Sequence, residues 1–308
     1  MSHRAEEESE TATETEDSVE SPAGLAPADA FALLGNDTRI EILQALLDAG
    51  ADEDPVAFST LYDHVDIDDS AHFNYHLKQL TDHFVRRTDE GYEFRYPGWK
   101  VVRSVLAGTF TDRTSLDPFD APGTCYDCDG PLQAWYGDDR LTIECADCGV
   151  VHVCYSFPPG GLDDRTPAEF LLAFHHHVRH HYCLAADGVC PECMGRMETT
   201  LHRDDDRFPG VDVRVEHACG RCQNRIESAV GLNLLDTADV LTFHAERGVD
   251  LTTEPFWTFD WCVSDEHTTV VSEDPLELRL DIPCDGDTIS VVVDETLSVL
   301  DVSRSCPA

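Results

Sequence analysis

Cys125-Tyr126-Asp127-Cys128 and Cys145-Ala146-Asp147-Cys148, separated by residues 129–144, are the stretch that decides the fold of this chain. Two further pairs, Cys190/Cys193 and Cys219/Cys222, are separated by residues 194–218. A two-residue spacing lets one tight turn direct both thiolates at a single ion, and two such turns supply a tetrahedral zinc site. The sequence therefore predicts two zinc ribbons with one structural Zn²⁺ each. Their predicted ligands are Cys125, Cys128, Cys145 and Cys148 in the first ribbon, and Cys190, Cys193, Cys219 and Cys222 in the second. The alternative is a redox dithiol, which needs one exposed pair of low pKa rather than four paired turns.

The charge of the chain is extreme, with 61 acidic residues, 21 basic residues and a formal net charge of −40. Lys78 and Lys100 are its only lysines. Salt at molar concentration shortens the Debye length to about 3 Å and screens the repulsion between carboxylates. We interpret the composition as that of a halophilic cytosol. The alternative is an acidic protein at low salt that avoids nucleic acid.

Several function classes lack the motifs they require. Neither lysine follows a Gly-rich loop, so a Walker A motif is excluded, and no G-x-G-x-x-G, H-E-x-x-H or G-x-S-x-G is present. We therefore do not expect an enzyme. No apolar run is long enough to span a bilayer and no secretory signal is visible, so we expect a cytoplasmic location.

The N-terminal third begins with residues 1–27, which are rich in Glu, Ser and Thr and predict a disordered acidic tail. Residues 28–50 predict one helix in which Asn36 is a candidate N-cap, and Ser59 is a candidate cap for a short second helix. Ser70 is the candidate N-cap of a third helix, followed by a β-hairpin at 85–96 and a last helix at 98–110. This order is that of a winged helix-turn-helix, predicted over residues 28–111.

The third helix is the predicted recognition helix, because Phe73, Leu77 and Leu80 form its buried face. Its other side chains are candidates for base or phosphate contacts, and arginines cluster in the hairpin that follows. The alternative is a winged helix used for protein contact. The predicted DNA-binding residues are His72, Asn74, Tyr75, His76, Lys78, Gln79, Arg86, Arg87 and Arg95.

Two segments carry a resemblance to a known family. Asn74-x-His76-Leu77-x-x-Leu80, followed by Val85 and the hairpin, resembles the ArsR-type winged-helix regulators, and Phe31–Arg39 is similar to the first-helix signature of haloarchaeal members. The resemblance implies a homodimer that binds double-stranded operator DNA and regulates transcription. The later Cys-x-x-Cys region is similar to the C-terminal extension of some of those regulators. Residues 57–67 lack the cysteines of the family's metal sensors.

The rest of the chain is divided by composition. Residues 112–123 predict a linker, residues 122–157 the first zinc ribbon, residues 164–232 a His-rich helix plus the second ribbon, and residues 233–308 a C-terminal effector or dimerisation part. Strands are predicted at 256–263, 268–272, 276–282 and 289–293. The predicted fold class is α+β: an N-terminal winged helix-turn-helix, two zinc-ribbon-like modules and a β-rich C-terminal part.

The helix predicted after the capping box Thr166-Pro167-Ala168-Glu169 carries five histidines between His175 and His181. A His pair at i, i+4 can chelate a transition metal, but we favour a surface helix that uses His as a polar residue, because no carboxylate or Cys completes a site. No role is assigned to the unpaired cysteines, which are Cys154, Cys183, Cys262, Cys284 and Cys306.

The function that the sequence favours is a sequence-specific DNA-binding transcriptional regulator with a zinc-stabilised C-terminal regulatory module. The sequence does not identify the effector of that module. Two alternatives remain. Winged helix plus zinc ribbon also resembles archaeal transcription factor E, a basal factor that assists RNA polymerase, and the clusters could instead sense a metal.

Overall fold

The computed structural model describes residues 24–203 and 212–305. Its contacts define two compact units that divide between Arg103 and Ser104. The α+β class is confirmed, since helices occur with antiparallel sheets in the described residues. Most of the predicted acidic tail, residues 1–23, and the unpaired Cys306 lie outside those residues. No helix in the described ranges is long and apolar enough to cross a membrane.

Unit 1, which ends at Arg103, consists of short helices and one hairpin. Its elements are α1 (Pro27–Leu34), α2 (Asp37–Asp48), α3 (Phe58–Asp63), α4 (Ser70–Leu80), β1 (Val85–Arg87), β2 (Tyr92–Phe94) and α5 (Tyr96–Leu106), the last of which runs across the division between the units. Ile42, Leu43 and Leu46 of α2 pack with Phe73, Leu77 and Leu80 of α4 in a core where each is fully buried.

The single helix predicted over residues 28–50 is wrong, because the chain breaks between α1 and α2. Asn36 has extended backbone, and its side chain accepts a hydrogen bond from the Arg39 N–H at 3.2 Å. Asn36 is therefore the N-cap of a new helix, as predicted, and capping a new helix ends the preceding one.

Two of the predicted caps shift by one or two residues. Asp69, and not Ser70, caps α4 by accepting from the Ala71 N–H at 2.8 Å. Ser59 lies inside α3, whose N-cap position is held by Ala57 without a side-chain hydrogen bond. The cap predicted for α4 is therefore one residue off, because neighbouring Asp and Ser side chains can satisfy the same backbone donors, and the side-chain cap predicted for α3 is absent.

The predicted hairpin is present, with Val85 opposite Phe94 and Arg87 opposite Tyr92. Val56 adds a bridge by exchanging two 2.8 Å backbone hydrogen bonds with Tyr92. A Cβ at Gly91 would lie 2.3 Å from the Val56 carbonyl oxygen, so the turn requires glycine for close approach.

Unit 2 begins with a four-stranded antiparallel sheet in the order β3-β4-β5-β6. Its strands are β3 (Leu116–Thr124), β4 (Pro131–Gly137), β5 (Arg140–Cys145) and β6 (Val151–Ser156). The linker predicted at 112–123 is therefore wrong, because β3 occupies most of it. Pro118 and Pro122 are tolerated there because β3 is an edge strand, and its register shifts twice against β4.

Helix α6 (Pro167–Ala186) begins at the predicted capping box, in which Thr166 and Glu169 exchange hydrogen bonds with each other's backbone. Phe170, Phe174, Val178 and Tyr182 are buried. The expected surface helix is wrong, because His175 and Arg179 are buried as well. His175 accepts the Phe256 N–H at 3.1 Å, and Arg179 binds the Asp236 carboxylate and the Leu251 carbonyl.

A second antiparallel sheet follows in the order β7-β8-β9, and short helices come after it. These elements are β7 (Met197–Arg203), β8 (Val213–Cys219), β9 (Arg225–Ala229), α7 (Val230–Leu234), α8 (Ala238–Ala245) and α9 (Asp260–Val263). The strand predicted at 256–263 is wrong, since Phe256–Thr258 is a 3₁₀ turn and α9 follows it. Trp257 and Trp261 are buried there as core residues.

A four-stranded meander closes the chain with β10 (Thr268–Glu273), β11 (Leu276–Cys284), β12 (Asp287–Asp294) and β13 (Val299–Ser305). Leu278, Leu280 and Ile282 of β11 alternate with more exposed residues and are fully buried. They share one hydrophobic core with α6 and with both cysteine-bearing sheets. Unit 2 is therefore built around a single core rather than three.

Thr166→Ala is expected to lower the free energy of unfolding by about 1 kcal/mol, because it removes the hydroxyl that caps α6. Thr166→Ser keeps the hydroxyl and is the matched control. The measurement is denaturant unfolding of the intact protein in molar KCl. Equal stability of the two variants would contradict the role assigned to the cap.

Candidate metal centres and DNA-contact face

Four sulfur atoms meet at one end of the first sheet. The Sγ atoms of Cys125 and Cys148 lie 3.7 Å apart, and those of Cys128 and Cys145 lie 3.5 Å apart. All four ligand atoms lie within 4.8 Å of one another. The predicted first cluster is therefore assembled by turns before β4 and after β5, and these distances exclude disulfide bonds.

The second cluster repeats this geometry beside the second sheet. The Sγ atoms of Cys190 and Cys222 lie 3.6 Å apart, as do those of Cys193 and Cys219. These four sulfurs also lie within 4.8 Å of one another. Both predicted ligand sets are thus brought together, and the described residues contain no other group of three or more candidate metal ligands that meets this distance criterion.

All four Cys-x-x-Cys turns share one backbone conformation. The residue after each second cysteine has a positive φ, and its N–H donates to the carbonyl of the first cysteine at 2.9 to 3.1 Å. These residues are Asp129, Gly149, Met194 and Gln223. Three of the four are not glycine, and for these residues the left-handed backbone conformation is energetically unfavourable.

Backbone N–H groups also point at sulfur atoms in each cluster. Cys145 Sγ accepts from the N–H of Asp147 at 3.4 Å and of Cys148 at 3.5 Å. Cys219 Sγ accepts equivalently from Arg221 and Cys222 at the same distances. The hydrogen bond from Cys148, against the effect of burial, lowers the pKa of Cys145 to about 7. The bond from Cys222 lowers the pKa of Cys219 to about 6.

This arrangement suits a closed, structural metal site. Thiolate is the metal-binding form of cysteine. Each cluster contains a thiol whose lowered pKa favours ionisation near neutral pH. A divalent cation that binds there must displace the protons of the other thiols. Four sulfurs around one point leave no position open for water or substrate, which disfavours metal-assisted catalysis at either cluster.

The histidines of α6 do not assemble a comparable site. His181 Nδ1 lies 3.0 Å from the Tyr155 hydroxyl, and the His177 and His181 rings are 4.1 Å apart. Burial lowers the pKa of His181 to about 4, so this ring is neutral at pH 7. His177 and His181 pack α6 against Tyr155 of β6. The unpaired cysteines are also apart from the clusters: Cys262 is buried, Cys183 and Cys284 are half-buried and Cys154 is exposed.

The predicted DNA-binding residues occupy α4 and the hairpin of unit 1. His72, Tyr75 and Lys78 are exposed on α4, while Asn74 and Gln79 are half-exposed. His76 differs from the expectation, because it is only 7% exposed and its Nε2 lies 2.9 Å from that of His72. The position i+3 from Phe73 places His76 on the buried face, and we leave it out of the contact set proposed below.

Arg86 and Arg87 of the hairpin and Arg95 just after it are exposed, and each contacts a neighbouring group. Arg86 pairs with Glu93 at 2.5 Å, and Arg87 lies over the Tyr92 ring at 5.9 Å. Arg95 donates to the Asp82 carbonyl. Sequence reasoning missed Arg39 and His83, which line one concavity of unit 1 together with Lys78 and Gln79. Arg39 and His83 are far apart along the chain, so no local sequence pattern indicated that they would line the same concavity.

Comparison with known families matches both units. The family described as "Domain of unknown function (DUF7351)" matches residues 122–299, more than half of the chain, and the chain belongs to that family. A second family, described as "Domain of unknown function (DUF7347)", matches residues 27–105. A comparison with curated proteins finds no match.

Cys148→Ser is expected to abolish metal binding at the first cluster and leave the second intact, because each cluster uses four thiolates. The measurement is elemental analysis of bound metal after dialysis. Cys154→Ser is the matched control, since Cys154 is also exposed but lies outside both clusters. Retention of all metal by Cys148→Ser, or equal loss in both variants, would contradict the assignment.

Proposed function

We propose that this protein is a sequence-specific DNA-binding transcriptional regulator of a halophilic cytosol, with two structural Zn²⁺ ions in unit 2. The observation that carries the proposal is the two-sided character of α4. Phe73, Leu77 and Leu80 are fully buried on one side, while Tyr75 is 58% exposed on the other. A helix held by its apolar side, after a tight turn, presents its polar side chains to the major groove.

The remainder of unit 1 supports the same function. The order of α2, α3 and α4, followed by the β1–β2 hairpin, is that of a winged helix-turn-helix. Lys78 stands on the exposed side of α4, and Arg86, Arg87 and Arg95 follow in the hairpin and just after it. In a chain of net charge −40, this local group of cations is the surface best suited to phosphate contact. The proposed contact set is His72, Asn74, Tyr75, Lys78, Gln79 and these arginines.

The identity of the metal is proposed from the sulfur geometry. Zn–S bonds of about 2.3 Å in a tetrahedron place sulfurs about 3.8 Å apart. The paired sulfurs here lie 3.5 to 3.7 Å apart. Four-thiolate coordination also favours zinc over the harder cations, which prefer oxygen. In the proposed function the ions stabilise unit 2 and take no part in a reaction.

Lys78→Ala is expected to weaken binding to the selected DNA sequence about 5- to 150-fold, which corresponds to the loss of one base contact worth about 1–3 kcal/mol. Binding sites are first selected from random duplexes with the intact protein in molar KCl. Lys100→Ala removes the same charge from α5 and is the matched control. The proposal fails if no duplex is enriched, or if both variants retain the same affinity and sequence preference.

A homodimer is part of the proposal, and α1 is its candidate contact. No residue of α1 is buried, and Phe31 is 73% exposed. Aromatic side chains are enriched in protein interfaces, so Phe31 is a candidate anchor for contact with a second copy of the chain.

Phe31→Asp is therefore expected to convert the dimer to a monomer, because it places a charge in the apolar contact, whereas Phe31→Leu should leave the dimer intact. Light scattering of the full chain in molar KCl measures both. A monomeric wild-type protein, or a dimer that survives Phe31→Asp, would exclude this contact.

A further inference from the structure

A groove of about 940 Å³ lies in unit 2 between β6 and β9, which are the last strands of their sheets. Every residue from 150 to 156 and every residue from 224 to 229 lines it. Successive side chains of a strand point to opposite faces, so a strand that presented one face would contribute every second residue. Both strands therefore present their edges to the groove.

The hydrogen-bond register shows which groups of β6 point into it. The Phe157 N–H donates to the Asp139 carbonyl at 3.0 Å, which makes this a hydrogen-bonded pair. Such pairs alternate with non-hydrogen-bonded pairs along antiparallel strands. Tyr155 consequently bonds to β5, while the backbone N–H and C=O groups of Cys154 and Ser156 point away from β5. The Cys154 carbonyl accepts from the Arg140 guanidinium at 3.0 Å, so the outward N–H groups carry the proposed contact.

The same reasoning applies to β9. The Cys219 N–H donates to the Asn224 carbonyl at 2.9 Å, so Arg225 and Glu227 direct their backbone groups away from β8. The Tyr182 hydroxyl confirms this direction by donating to the Glu227 carbonyl at 2.5 Å.

Tyr182 of α6 also contacts both strand edges, that of β6 and that of β9. Its ring centroid lies 6.0 Å from that of Tyr155 on β6, and its hydroxyl reaches β9. Two strand edges over one side chain of α6 form a channel with a closed floor.

The lining is less acidic than the chain as a whole, although Arg214 is only 2% exposed and pairs with Glu227. It contains Arg140, Arg214 and Arg225 but only two acidic residues, Glu192 and Glu227, in a chain with 61 acidic and 21 basic residues. Arg225 is 61% exposed although it pairs with Glu216 at 3.0 Å. Apolar side chains such as Ile226, Leu232 and Phe256 line the rest. This chemistry suits an extended peptide with both apolar and acidic side chains.

We propose that this groove binds an extended, acidic and partly apolar segment of a partner protein as an added strand between β6 and β9. Addition to a strand edge draws affinity from main-chain hydrogen bonds and specificity from alternate side chains. The proposal is independent of DNA binding by unit 1, and its test contains no duplex DNA. The groove includes Cys148 and Asn224, so its two ends adjoin the two cysteine clusters.

The test is selection of octapeptides from a random display library with the intact, metal-loaded protein in molar KCl. The affinity of a selected peptide is then measured by fluorescence anisotropy. Ser156→Pro removes an outward N–H without removing a bond to β5, and is expected to weaken binding about tenfold or more. Ser156→Ala keeps the N–H and should bind like the wild type. Arg225→Pro and Arg225→Ala repeat the comparison on β9, with metal content and circular dichroism as checks of folding.

The proposal is overturned if no peptide is enriched, or if folded proline variants bind as well as their alanine controls. Displacement of the selected peptide by a synthetic peptide of residues 1–23 would assign the groove to this chain's own N-terminal segment. Displacement by an oligothymidine would assign it to single-stranded nucleic acid. Either result would also overturn the partner proposal.

Discussion

Burial of the apolar face of α6 is the constraint on which the rest of unit 2 depends. Phe174 and Val178 are fully buried in the core that both cysteine-bearing sheets and the C-terminal meander share. Tyr182 contacts β6 through its ring and β9 through its hydroxyl. Sheets of three or four short strands bury little surface alone, so each of these sheets gains its core from the shared cluster to which α6 contributes.

The cysteine clusters are part of this core rather than appendages to it. Cys125, Cys145, Cys190 and Cys219, the first cysteine of every pair, are at most 2% exposed, whereas their second cysteines are exposed or half-buried. Each turn thus connects a buried sulfur with a surface sulfur. A metal bound by both would fix the ends of strands whose other residues face α6. Loss of the metal would therefore disturb the core as well as the turns.

Local patterns predicted much of this structure, and non-local packing explains what they missed. Asn36, the capping box at Thr166 and the alternation in β11 each act within a few residues, so the sequence displays them directly. The Pro-containing segment that becomes β3 has strand geometry only because β4 pairs with it. His175 and Arg179 are buried because Phe256, Asp236 and Leu251, distant along the chain, satisfy their polar groups. The cysteine spacing predicted which sulfurs converge, but no pattern indicated that two sheet edges would face one groove.

The net charge of −40 suggests a protein that repels DNA and acidic peptides, yet this argument depends on salt. At 1 M salt the Debye length is about 3 Å, so charges farther apart than a contact hardly interact. The potential that a ligand meets is then set by side chains within a few ångströms, and the distant carboxylates contribute little. Under those conditions Lys78 on α4 and Arg225 at the groove would set the potential that the proposed ligands meet. Lower salt would restore the long-range repulsion, so binding to either surface should weaken on dilution of salt, opposite to the usual behaviour of DNA-binding proteins.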